Sequence, residues 1–356
     1  MPIATRAFAA TTSTAPLTPY TFTRRDPGAD DVAIDIRFAG ICHSDLHIVK
    51  NDLGNTVYPI VPGHEIAGIV TVVGANVTRF KVGDRVGVGC MVDSCRVCGP
   101  CKAGDEQYCV PGMTGTYGAP DKHADQSGEK ITQGGYSDKI VVDQAFVVTI
   151  PDSIPLDAAA PLLCAGITTY SPLKHWGIKA GSKVAVIGLG GLGHMAVKQA
   201  AAMGAEVTVL STSDRKKADA ERMGAKHFLI NSDKAAMKAA AEKFDLIINT
   251  VSATHEIAGH LQLLAHDGTM VMLGLTTEAM PVFALPLLWR RRSVAGSLIG
   301  GIRETQEMLD FCAEHGLASD IEVIAPSQIN EAYARLEKSD VRYRFVIDMS
   351  RLGEVD

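Results

Sequence analysis

The chain has 356 residues, of which 46% are hydrophobic and 21% are charged, and its formal net charge is −6. This length exceeds what one hydrophobic core usually supports and favours two domains. The mildly negative charge, with only a short basic run at Arg290–Arg292, argues against a nucleic-acid-binding protein. The N-terminus lacks the apolar core of a signal peptide, and no later segment reaches the roughly 18 uninterrupted apolar residues of a membrane span. We therefore expect a cytoplasmic protein without a membrane partner.

Short β-type runs separated by glycine occupy the first 150 residues. They include "VAIDIRFAG", "EIAGIVTVVG", "DRVGVG" and "YSDKIVVDQAFVVTI". These runs have little helical periodicity, which indicates a compact and largely β domain. Between residues 115 and 134, the polar segment "YGAPDKHADQSGEK" predicts an exposed loop.

The stretch "AGICHSDLH" contains potential metal ligands and polar groups at Cys42, His43, Ser44, Asp45 and His47. Taken alone, it is either a two-ligand zinc clip, in which Cys42 pairs with His43 or His47, or a polar loop without chemistry. The rest of the chain has to distinguish these two interpretations.

An open, catalytic zinc site draws its ligands from separate segments and leaves one position for water or substrate. The candidates are Cys42, His64 in "PGHEIAG" and Cys164 in "PLLCAGITTYSPL". Spacing alone leaves this set undecided, because a histidine beside Glu65 in a loop is more often one half of a satisfied polar pair.

The run "CRVCGPCKAGDEQYC" has a C-x2-C-x2-C-x7-C pattern formed by Cys95, Cys98, Cys101 and Cys109. In a reducing compartment, clustered cysteines are metal ligands or reactive thiols before they are disulfides. Four thiolates surround a tetrahedral Zn²⁺ and leave no open position, so the run predicts a structural zinc site. An iron–sulfur cluster is the alternative that four cysteines allow. Cys90 and Cys312 lie outside the spacing and are predicted to be small buried residues.

From Lys183 onward, apolar strands alternate with helical segments. The strands are "KVAVIG", "EVTVLST", "KHFLIN", "FDLIINT", "GTMVMLG" and "SVAGSLIG". Six buried strands with helices between them are typical of a doubly wound parallel sheet. The tail from about Glu304 has one helical and one strand-like segment that do not extend this alternation, and we expect it to return to the first domain.

The segment "VAVIGLGGLGHMAVKQA" places a G-x-G-x-x-G pattern, Gly188, Gly190 and Gly193, between a strand and a helix. The first glycine permits a tight turn, and the second lets the backbone approach a pyrophosphate. The third allows the helix to pack closely on the strand, with the phosphates at the helix N-terminus. In this context the pattern predicts dinucleotide binding, and a structural loop is the alternative.

The strand after the glycine turn ends in "STSDRKK" instead of an acidic residue. An acidic side chain there would bind the ribose 2′-hydroxyl of NAD and repel the 2′-phosphate of NADP. Hydroxyl groups and cations can instead bind that phosphate with charge assistance, and this segment offers both in Ser211, Thr212, Ser213, Arg215, Lys216 and Lys217. We therefore predict NADP. The alternative is a helix start in which Ser213 or Asp214 is the N-cap and the cations are solvated.

These motifs, together with "GGYS" at residues 134–137, follow one another in the order and at the intervals of the zinc-containing medium-chain alcohol dehydrogenases. Most narrowly, the chain resembles the cinnamyl alcohol dehydrogenase subfamily and its bacterial broad-specificity NADP-dependent aldehyde reductases. The resemblance covers nearly the whole chain. It implies an α/β two-domain fold. Residues 1–160 and 302–356 would form a GroES-like, mostly β catalytic domain with a structural zinc lobe near residues 90–112. Residues 161–301 would form a Rossmann NADP-binding domain with a six-stranded parallel sheet.

The resemblance also implies roles for residues of the catalytic domain. Cys42, His64 and Cys164 would bind the catalytic zinc, and Glu65 could enter the shell during ligand exchange. Asp45 would orient a ligand. A proton would pass from the substrate oxygen through the hydroxyl of Ser44 and the cofactor ribose to His47. The zinc would act as a Lewis acid, and hydride would pass directly between the substrate carbon and the nicotinamide.

The same resemblance implies a set of cofactor-binding positions in the Rossmann domain. They are Thr168, the turn residues Gly188, Leu189, Gly190, Gly191, Leu192 and Gly193, the segment Ser211, Thr212, Ser213, Arg215 and Lys216, then Thr250 and Gly274, and finally the strand Ser297, Leu298 and Ile299. For Thr250 and Gly274 a strand-end cap and a turn are the alternatives.

One position departs from the plant cinnamyl enzymes, which typically have a tryptophan where this chain has Gly115 in "MTGTYG". Strict specificity for coniferyl-type aldehydes is therefore not expected, and a broad range of aromatic and aliphatic aldehydes is favoured. The expected activity is that of a zinc-dependent, NADP(H)-dependent alcohol dehydrogenase that acts in cells mainly as an aldehyde reductase.

Two other functions compete with this expectation. One is an NAD-dependent polyol or formaldehyde-type dehydrogenase, and the other is a non-enzymatic, zinc-binding structural relative. The hydroxyl-and-cation segment, Ser211–Lys217, argues against the NAD-dependent dehydrogenase. The presence of Ser44 and His47 argues against the structural relative. A homodimer is implied by the resemblance, with the strand Val294–Gly300 as an edge for sheet extension between subunits.

Overall fold

The chain crosses between two structural units at residues 164–165 and again at residues 299–300. The structure is a computed structural model that describes residues 2–276 and 278–354. Unit 1 contains Met1–Cys164 and Gly300–Asp356, and unit 2 contains Ala165–Ile299. The boundaries predicted after residues 160 and 301 lie close to these crossings, but the structure keeps Cys164 in unit 1.

The described residues form β-strands along most of the chain. They are β1 (Ile3–Ala9), β2 (Thr18–Arg24), β3 (Asp31–Gly40), β4 (Ile66–Val73), β5 (Arg85–Val88), β6 (Met91–Asp93), β7 (Thr114–Gly115), β8 (Lys139–Asp143), β9 (Val148–Thr149), β10 (Lys183–Ile187), β11 (Glu206–Ser211), β12 (His227–Ile230), β13 (Phe244–Asn249), β14 (Leu264–Met272), β15 (Ser293–Gly296), β16 (Ile321–Ile324) and β17 (Arg344–Asp348).

The α-helices are α1 (His43–Lys50), α2 (Gly99–Ala103), α3 (Ala124–Ser127), α4 (Leu156–Ala159), α5 (Ala165–His175), α6 (Gly193–Ala202), α7 (Lys217–Arg222), α8 (Lys234–Ala239), α9 (Ala258–Leu261), α10 (Ala284–Leu288), α11 (Ile302–Glu314) and α12 (Ile329–Glu337). Short 3-10 turns lie at Glu106–Tyr108, Gln144–Phe146, Ala160–Leu163, Pro326–Gln328 and Met349–Glu354. None of the helices in the described residues has both the length and the apolar character needed to cross a lipid bilayer.

Unit 1 is built on a sheet with the strand order β16-β17-β3-β4-β5-β9, and β8 also pairs with β3. The long strand β3 is the centre of this sheet because it pairs with β4, β8 and β17, all antiparallel. The C-terminal segment therefore joins the same sheet as the N-terminal strands. This segment has two helices and two strands, one of each more than the sequence indicated, and the antiparallel pair β1–β2 was also not predicted.

Unit 2 confirms the predicted doubly wound sheet. Its six strands run parallel in the order β12-β11-β10-β13-β14-β15, with the reversal of order between β10 and β13. Their apolar side chains form a core in which Ile187, Ile247, Leu264 and Met270 are at most 2% exposed. Continuous apolar runs are what a parallel sheet covered on both faces requires.

The predicted strand at Ser297–Ile299 is wrong. Strand β15 ends at Gly296, and the three residues after it are outside any strand. Ile299 has φ +38°, a backbone conformation that cannot continue an extended ladder. The predicted polar loop after residue 115 does contain an exposed segment, in which α3 forms one short helical turn at Ala124–Ser127.

Candidate active site and metal centres

Four buried side chains in unit 1 converge on one point. They are two thiols, one imidazole and one carboxylate, from Cys42, His64, Glu65 and Cys164, with ligand atoms that all lie within 4.8 Å of one another. The two sulfur atoms are 4.0 Å apart, too far for a disulfide bond. Three separate segments supply the four groups, and only His64 and Glu65 are neighbours in the sequence.

Each segment places its ligand at the end of a secondary-structure element. Cys42 lies between β3 and α1, His64 and Glu65 directly precede β4, and Cys164 follows the 3-10 turn Ala160–Leu163. Gly40 at the end of β3 makes room for Glu65, because a Cβ atom at residue 40 would lie 1.9 Å from Oε2 of Glu65. The stretch "AGICHSDLH" is therefore a strand end followed by a helix start, and Cys42 is the only member of it that joins this cluster.

Asp45 is a fully buried carboxylate that orders the cluster. Its Oδ2 accepts the N–H of Cys42 at 2.8 Å, and its Oδ1 accepts the N–H of Gly63 at 3.1 Å. Oδ1 also lies 3.0 Å from Nδ1 of His64. Burial lowers the pKa of His64, but the charges of Asp45 and Cys90 and the hydrogen bonds to Asp45 and Cys42 together outweigh this effect and raise that pKa well above its ordinary value. Because Nδ1 is engaged with Asp45, the other ring nitrogen, Nε2, is the one available to a metal.

Glu65 pairs with Arg344, which lies at the start of β17. The guanidinium Nη2 donates to Oε1 of Glu65, whereas Oε2 is buried and has no hydrogen-bond partner among the described residues. Burial raises the pKa of Glu65 to about 8, and the guanidinium charge opposes this rise without cancelling it. A buried carboxylate oxygen without a donor is a group that a cation would satisfy.

The two thiols of the cluster form a hydrogen bond in which either sulfur can be the donor. This hydrogen bond lowers the pKa of Cys42 well below its ordinary value. The same interaction raises the pKa of Cys164. One thiolate is therefore formed readily, and a bound divalent cation would favour the second by its own charge.

This donor set fits zinc. Thiolate sulfur and imidazole nitrogen are ligands that Zn²⁺ prefers, and three such ligands leave a fourth position for water, substrate or the carboxylate of Glu65. All four ligands of this site are buried, whereas the four-cysteine site has two half-buried ligands.

The second site is the four-cysteine lobe. The ligand atoms of Cys95, Cys98, Cys101 and Cys109 lie within 4.8 Å of one another, and none of these residues forms a disulfide. Backbone N–H groups donate to the sulfurs, including that of Val110 to Cys98 at 3.5 Å. These N–H groups lower the pKa of Cys98 to about 6. A closed set of four sulfurs fits a structural zinc and leaves no position for a substrate.

The lobe also holds the beginning of α11, where the chain re-enters unit 1. The carboxylate of Glu106 accepts the N–H of Ile302 at 3.1 Å, and Arg303 donates to the carbonyl oxygen of Ala103 at 2.8 Å. A Cβ atom at residue 301 would lie 1.8 Å from the carbonyl oxygen of Gly104, so the contact requires Gly301.

Helix α1 carries the two predicted relay residues. Ser44 is exposed, and its Oγ lies 3.7 Å from the sulfur of Cys42. Nδ1 of His47, one turn later, lies 2.7 Å from Oδ2 of Asp52, a residue that the sequence did not single out. Because a carboxylate oxygen only accepts, Nδ1 is the protonated ring nitrogen and Nε2 is the basic one. Nε2 of His47 is buried and has no hydrogen-bond partner among the described residues.

The glycine-rich turn of unit 2 follows β10 as predicted from the pattern. Gly188 has φ +88°, and a Cβ atom on Gly193 would lie 1.9 Å from the carbonyl oxygen of Gly188. No heavy atom lies within 4 Å of a Cβ built on Gly190, so the backbone there is open for a ligand. Leu189, Gly191 and Leu192 complete the turn, and α6 begins at Gly193.

Two side chains support this turn from outside. The hydroxyl of Thr250 donates to the carbonyl oxygens of Ile187 at 2.9 Å and Gly188 at 3.1 Å. Nζ of Lys216 donates to the carbonyl oxygen of Leu189 at 2.8 Å. The described contacts of Thr250 are therefore those of a strand-end brace, which was the alternative to direct cofactor binding.

The hydroxyl-and-cation segment follows β11, as the pattern indicated. Ser211 is the last residue of the strand, and Thr212 and Arg215 are exposed. The N-cap of α7 is Lys216, without a side-chain cap, so the alternative in which Ser213 or Asp214 caps the helix is wrong. The remaining predicted positions lie in α5 (Thr168), after β14 (Gly274) and after β15 (Ser297, Leu298 and Ile299).

Two family descriptions match the sequence. Residues 28–152 match the Alcohol dehydrogenase GroES-like domain, and residues 191–314 match Zinc-binding dehydrogenase. The NADP-dependent alcohol dehydrogenase C 1 of Mycolicibacterium smegmatis is 61% identical over 347 residues, which cover 97% of this chain and 98% of that protein. The chain belongs to the zinc-binding alcohol dehydrogenase family.

Solved structures agree with this membership. A cinnamyl alcohol dehydrogenase from Sorghum bicolor is 48% identical, covers 98% of each chain and has a TM-score of 0.93. A cinnamyl alcohol dehydrogenase from Helicobacter pylori, solved in complex with NADP(H), is 44% identical, covers 99% of each chain and has a TM-score of 0.91. The resemblance to the cinnamyl subfamily and the two-domain fold are confirmed.

The sequence assigned no role to several residues that contact the candidate site residues. Tyr117, Tyr136 and Arg344 contact His64, Asp45 and Glu65 from 53, 91 and 279 residues away, which no local pattern spans. Asp52 contacts His47 and lies only five residues after it. The available signals were "MTGTYG", which contains Tyr117, and "GGYS", which contains Tyr136. Cys312 is buried as predicted, whereas Cys90 is half-buried.

The two metal clusters of this dehydrogenase predict about two zinc ions per chain, measured by mass spectrometry of the metal content. Cys98→Ser and Cys164→Ser should each remove one zinc, because each replaces a thiolate in a different cluster. Cys312→Ala, a change at a buried cysteine outside both clusters, should keep two. A wild-type protein with one zinc, or with iron and sulfide, would contradict the assignment.

Proposed function

We propose that this dehydrogenase catalyses reversible hydride transfer between NADP(H) and primary alcohols or aldehydes, with zinc at the buried cluster and with a broad range of aromatic and aliphatic substrates. The observation that carries the proposal is the buried set of two thiols, one imidazole and one carboxylate in unit 1. The family membership and the names of the relatives support it.

Cys42, His64 and Cys164 would hold the catalytic zinc, and Glu65 would exchange between Arg344 and the metal. When bound, zinc supplies Lewis acidity to an alcohol or carbonyl oxygen, and the nicotinamide gives or accepts a hydride. The chain itself keeps the ligands buried and fixes the ring of His64 through Asp45.

The proton released in alcohol oxidation would move along helix α1. Ser44 is exposed beside Cys42, and His47 follows it on the same helix. The pairing of Nδ1 with Asp52 leaves Nε2 of His47 as the proton acceptor, and the carboxylate stabilises the imidazolium that results. Asp52 thus joins Ser44 and His47 in the proposed relay.

NADP is the proposed cofactor because of the residues that follow β11. Serine and threonine hydroxyls and the exposed Arg215 are suited to a 2′-phosphate. No acidic side chain stands at the end of β11 itself, where NAD enzymes bind the ribose. The relatives named for NADP support this assignment. The rival NAD-dependent polyol or formaldehyde-type activity would need an acidic residue at the end of β11, and Ser211 occupies that position.

Gly115 is the proposed reason for a broad substrate range. It lies in β7, where the plant cinnamyl enzymes typically carry tryptophan, and two residues before the half-buried Tyr117, whose hydroxyl contacts His64. A residue without a side chain leaves more room near the metal ligands than an indole does. Aldehyde reduction is the proposed main direction in cells.

The purified zinc enzyme should reduce benzaldehyde and aliphatic aldehydes with NADPH, with a kcat/KM at least about tenfold higher than with NADH because of the charge-assisted phosphate contact. Arg215→Ala should reduce this preference, and Lys226→Ala, at an exposed lysine of unit 2, should not.

Gly115→Trp should narrow the range of aldehydes that the enzyme reduces. Cys164→Ser should lose activity by roughly 10³-fold. An NADH preference would refute the cofactor assignment, and a complete lack of turnover would favour the non-enzymatic alternative.

His47→Ala and Asp52→Asn should slow alcohol oxidation near neutral pH by about tenfold or more, since they remove or misorient a general base. The loss should shrink as the pH rises, because hydroxide then takes the proton directly. Steady-state rates over a pH series measure this effect. Lys50→Ala, at the exposed end of the same helix, is the control. A loss that is constant over the whole pH range would contradict a proton-transfer role.

We further propose a homodimer and a cytoplasmic location. Strand β15 is at one end of the unit 2 sheet, and the neighbouring segment exposes Phe283, Leu285, Leu288 and Trp289 to 60–76%. An apolar edge of this kind is suited to a second copy of the chain. All eight cysteines are free thiols, which supports a reducing compartment that cell fractionation would test.

Light scattering of the purified protein should give twice the mass of the 37.8 kDa chain. Trp289→Asp should shift the equilibrium toward the single chain, because a charge in an apolar interface is costly. Val97→Asp, at an exposed valine of the four-cysteine lobe, should leave the mass unchanged. A single-chain mass for the wild type at micromolar concentration would overturn the dimer.

A further inference from the structure

A chain of buried hydroxyl groups reaches the carboxylate of Asp45 from the C-terminal segment of unit 1. The hydroxyl of Tyr136 donates to Oδ2 of Asp45 at 3.2 Å, and the hydroxyl of Tyr333, in α12, donates to that of Tyr136 at 3.5 Å. Tyr136 is 0% exposed and Tyr333 is 7% exposed. The two rings meet edge to face with their centroids 6.5 Å apart.

Each oxygen of Asp45 accepts from a backbone group and a side chain. Oδ1 has the N–H of Gly63 and the ring of His64, and Oδ2 has the N–H of Cys42 and the hydroxyl of Tyr136. Tyr136 therefore contacts one oxygen of the carboxylate, and His64 contacts the other. Without its hydroxyl, Oδ2 keeps only the backbone donor among these contacts, and the carboxylate is less restrained in rotation about its Cβ–Cγ bond.

His64 has a second acceptor to which it could turn. The hydroxyl of Tyr117 lies 3.2 Å from Nδ1, nearly the same distance as Oδ1 of Asp45 at 3.0 Å. The ring of Tyr117 lies 5.5 Å from the imidazole, centroid to centroid. One N–H with two acceptors of similar distance leaves the plane of the ring underdetermined, unless one acceptor is itself held in place.

We propose that Tyr136 is a positioning residue for His64, which acts by locking the carboxylate of Asp45, and that Tyr333 in turn fixes the hydroxyl of Tyr136. The proposal rests on the proposed role of His64 as a metal ligand. A purely structural role for Tyr136, as an aromatic side chain that fills the core, would be met equally by phenylalanine. The hydroxyl is what the positioning role requires.

The test is the rate at which a chelator in excess removes zinc from the protein with both sites loaded. Groups that orient a ligating histidine typically change metal affinity by 10- to 100-fold. Tyr136→Phe should therefore release the zinc of the buried cluster about tenfold faster. Tyr333→Phe should have a smaller effect in the same direction, since it acts one hydroxyl further away. The visible spectrum of the cobalt-substituted buried site should change in Tyr136→Phe.

Two controls separate positioning from a general loss of stability. The four-cysteine lobe provides an internal one, because its zinc should leave at the wild-type rate in every variant. Tyr58→Phe provides the matched one, since it removes a hydroxyl that donates to Val49 in the same helix α1 at 2.7 Å but does not contact Asp45. It should leave release from the buried cluster unchanged.

Wild-type release from the buried cluster in Tyr136→Phe would overturn the proposal, as would equal acceleration at both sites or the same acceleration in Tyr58→Phe. A wild-type protein that holds zinc only in the lobe would overturn the proposed function as well. The metal content of the wild type therefore distinguishes the two failures.

Discussion

The buried carboxylate of Asp45 is the constraint on which the candidate active site depends. It joins the first turn of α1, the loop before β4 and the segment that contains Tyr136 by hydrogen bonds to one charged group. A charge with no exposed surface is stable only when its lone pairs are satisfied, so these segments are fixed relative to one another. The hydrogen bonds that satisfy Asp45 therefore also fix the positions of Cys42 and His64. Asp45 thus positions two of the metal ligands through hydrogen bonds of the chain itself.

A second buried charge pair extends this constraint to the C-terminal segment. Arg344 meets Glu65 in the core of unit 1, and removal of Glu65 would typically cost about 3–5 kcal/mol because the guanidinium would remain buried without its partner. Oε2 of Glu65 is nevertheless left without a donor. The pair therefore holds the carboxylate next to the thiols without using all of its capacity to bind a cation.

The sequence predicted those parts of the molecule whose signals are local. The four cysteines of the lobe lie within fifteen residues, and the glycine turn is flanked by its own strand and helix, so both could be read directly. Cys42, His64 and Cys164 are separated by sheet topology, and spacing alone did not unite them; the resemblance to a family did. The "GGYS" motif contains Tyr136, but neither its contact with Asp45 nor that of Arg344 with Glu65 could be predicted, since the partners lie 91 and 279 residues away. The strand predicted at Ser297–Ile299 failed because hydrophobicity does not reveal the positive φ of Ile299.

The discontinuous composition of unit 1 has a consequence for biosynthesis. Strand β17, which pairs with β3, and Arg344, which pairs with Glu65, are both translated after the whole of unit 2. Unit 2, in contrast, is a single continuous segment that can fold as soon as it emerges. The earlier part of unit 1 therefore lacks β17, and Glu65 lacks its guanidinium partner, until the ribosome has passed through unit 2. All four buried metal ligands are translated before unit 2 is complete, and they reach their final environment only after Arg344 has been added.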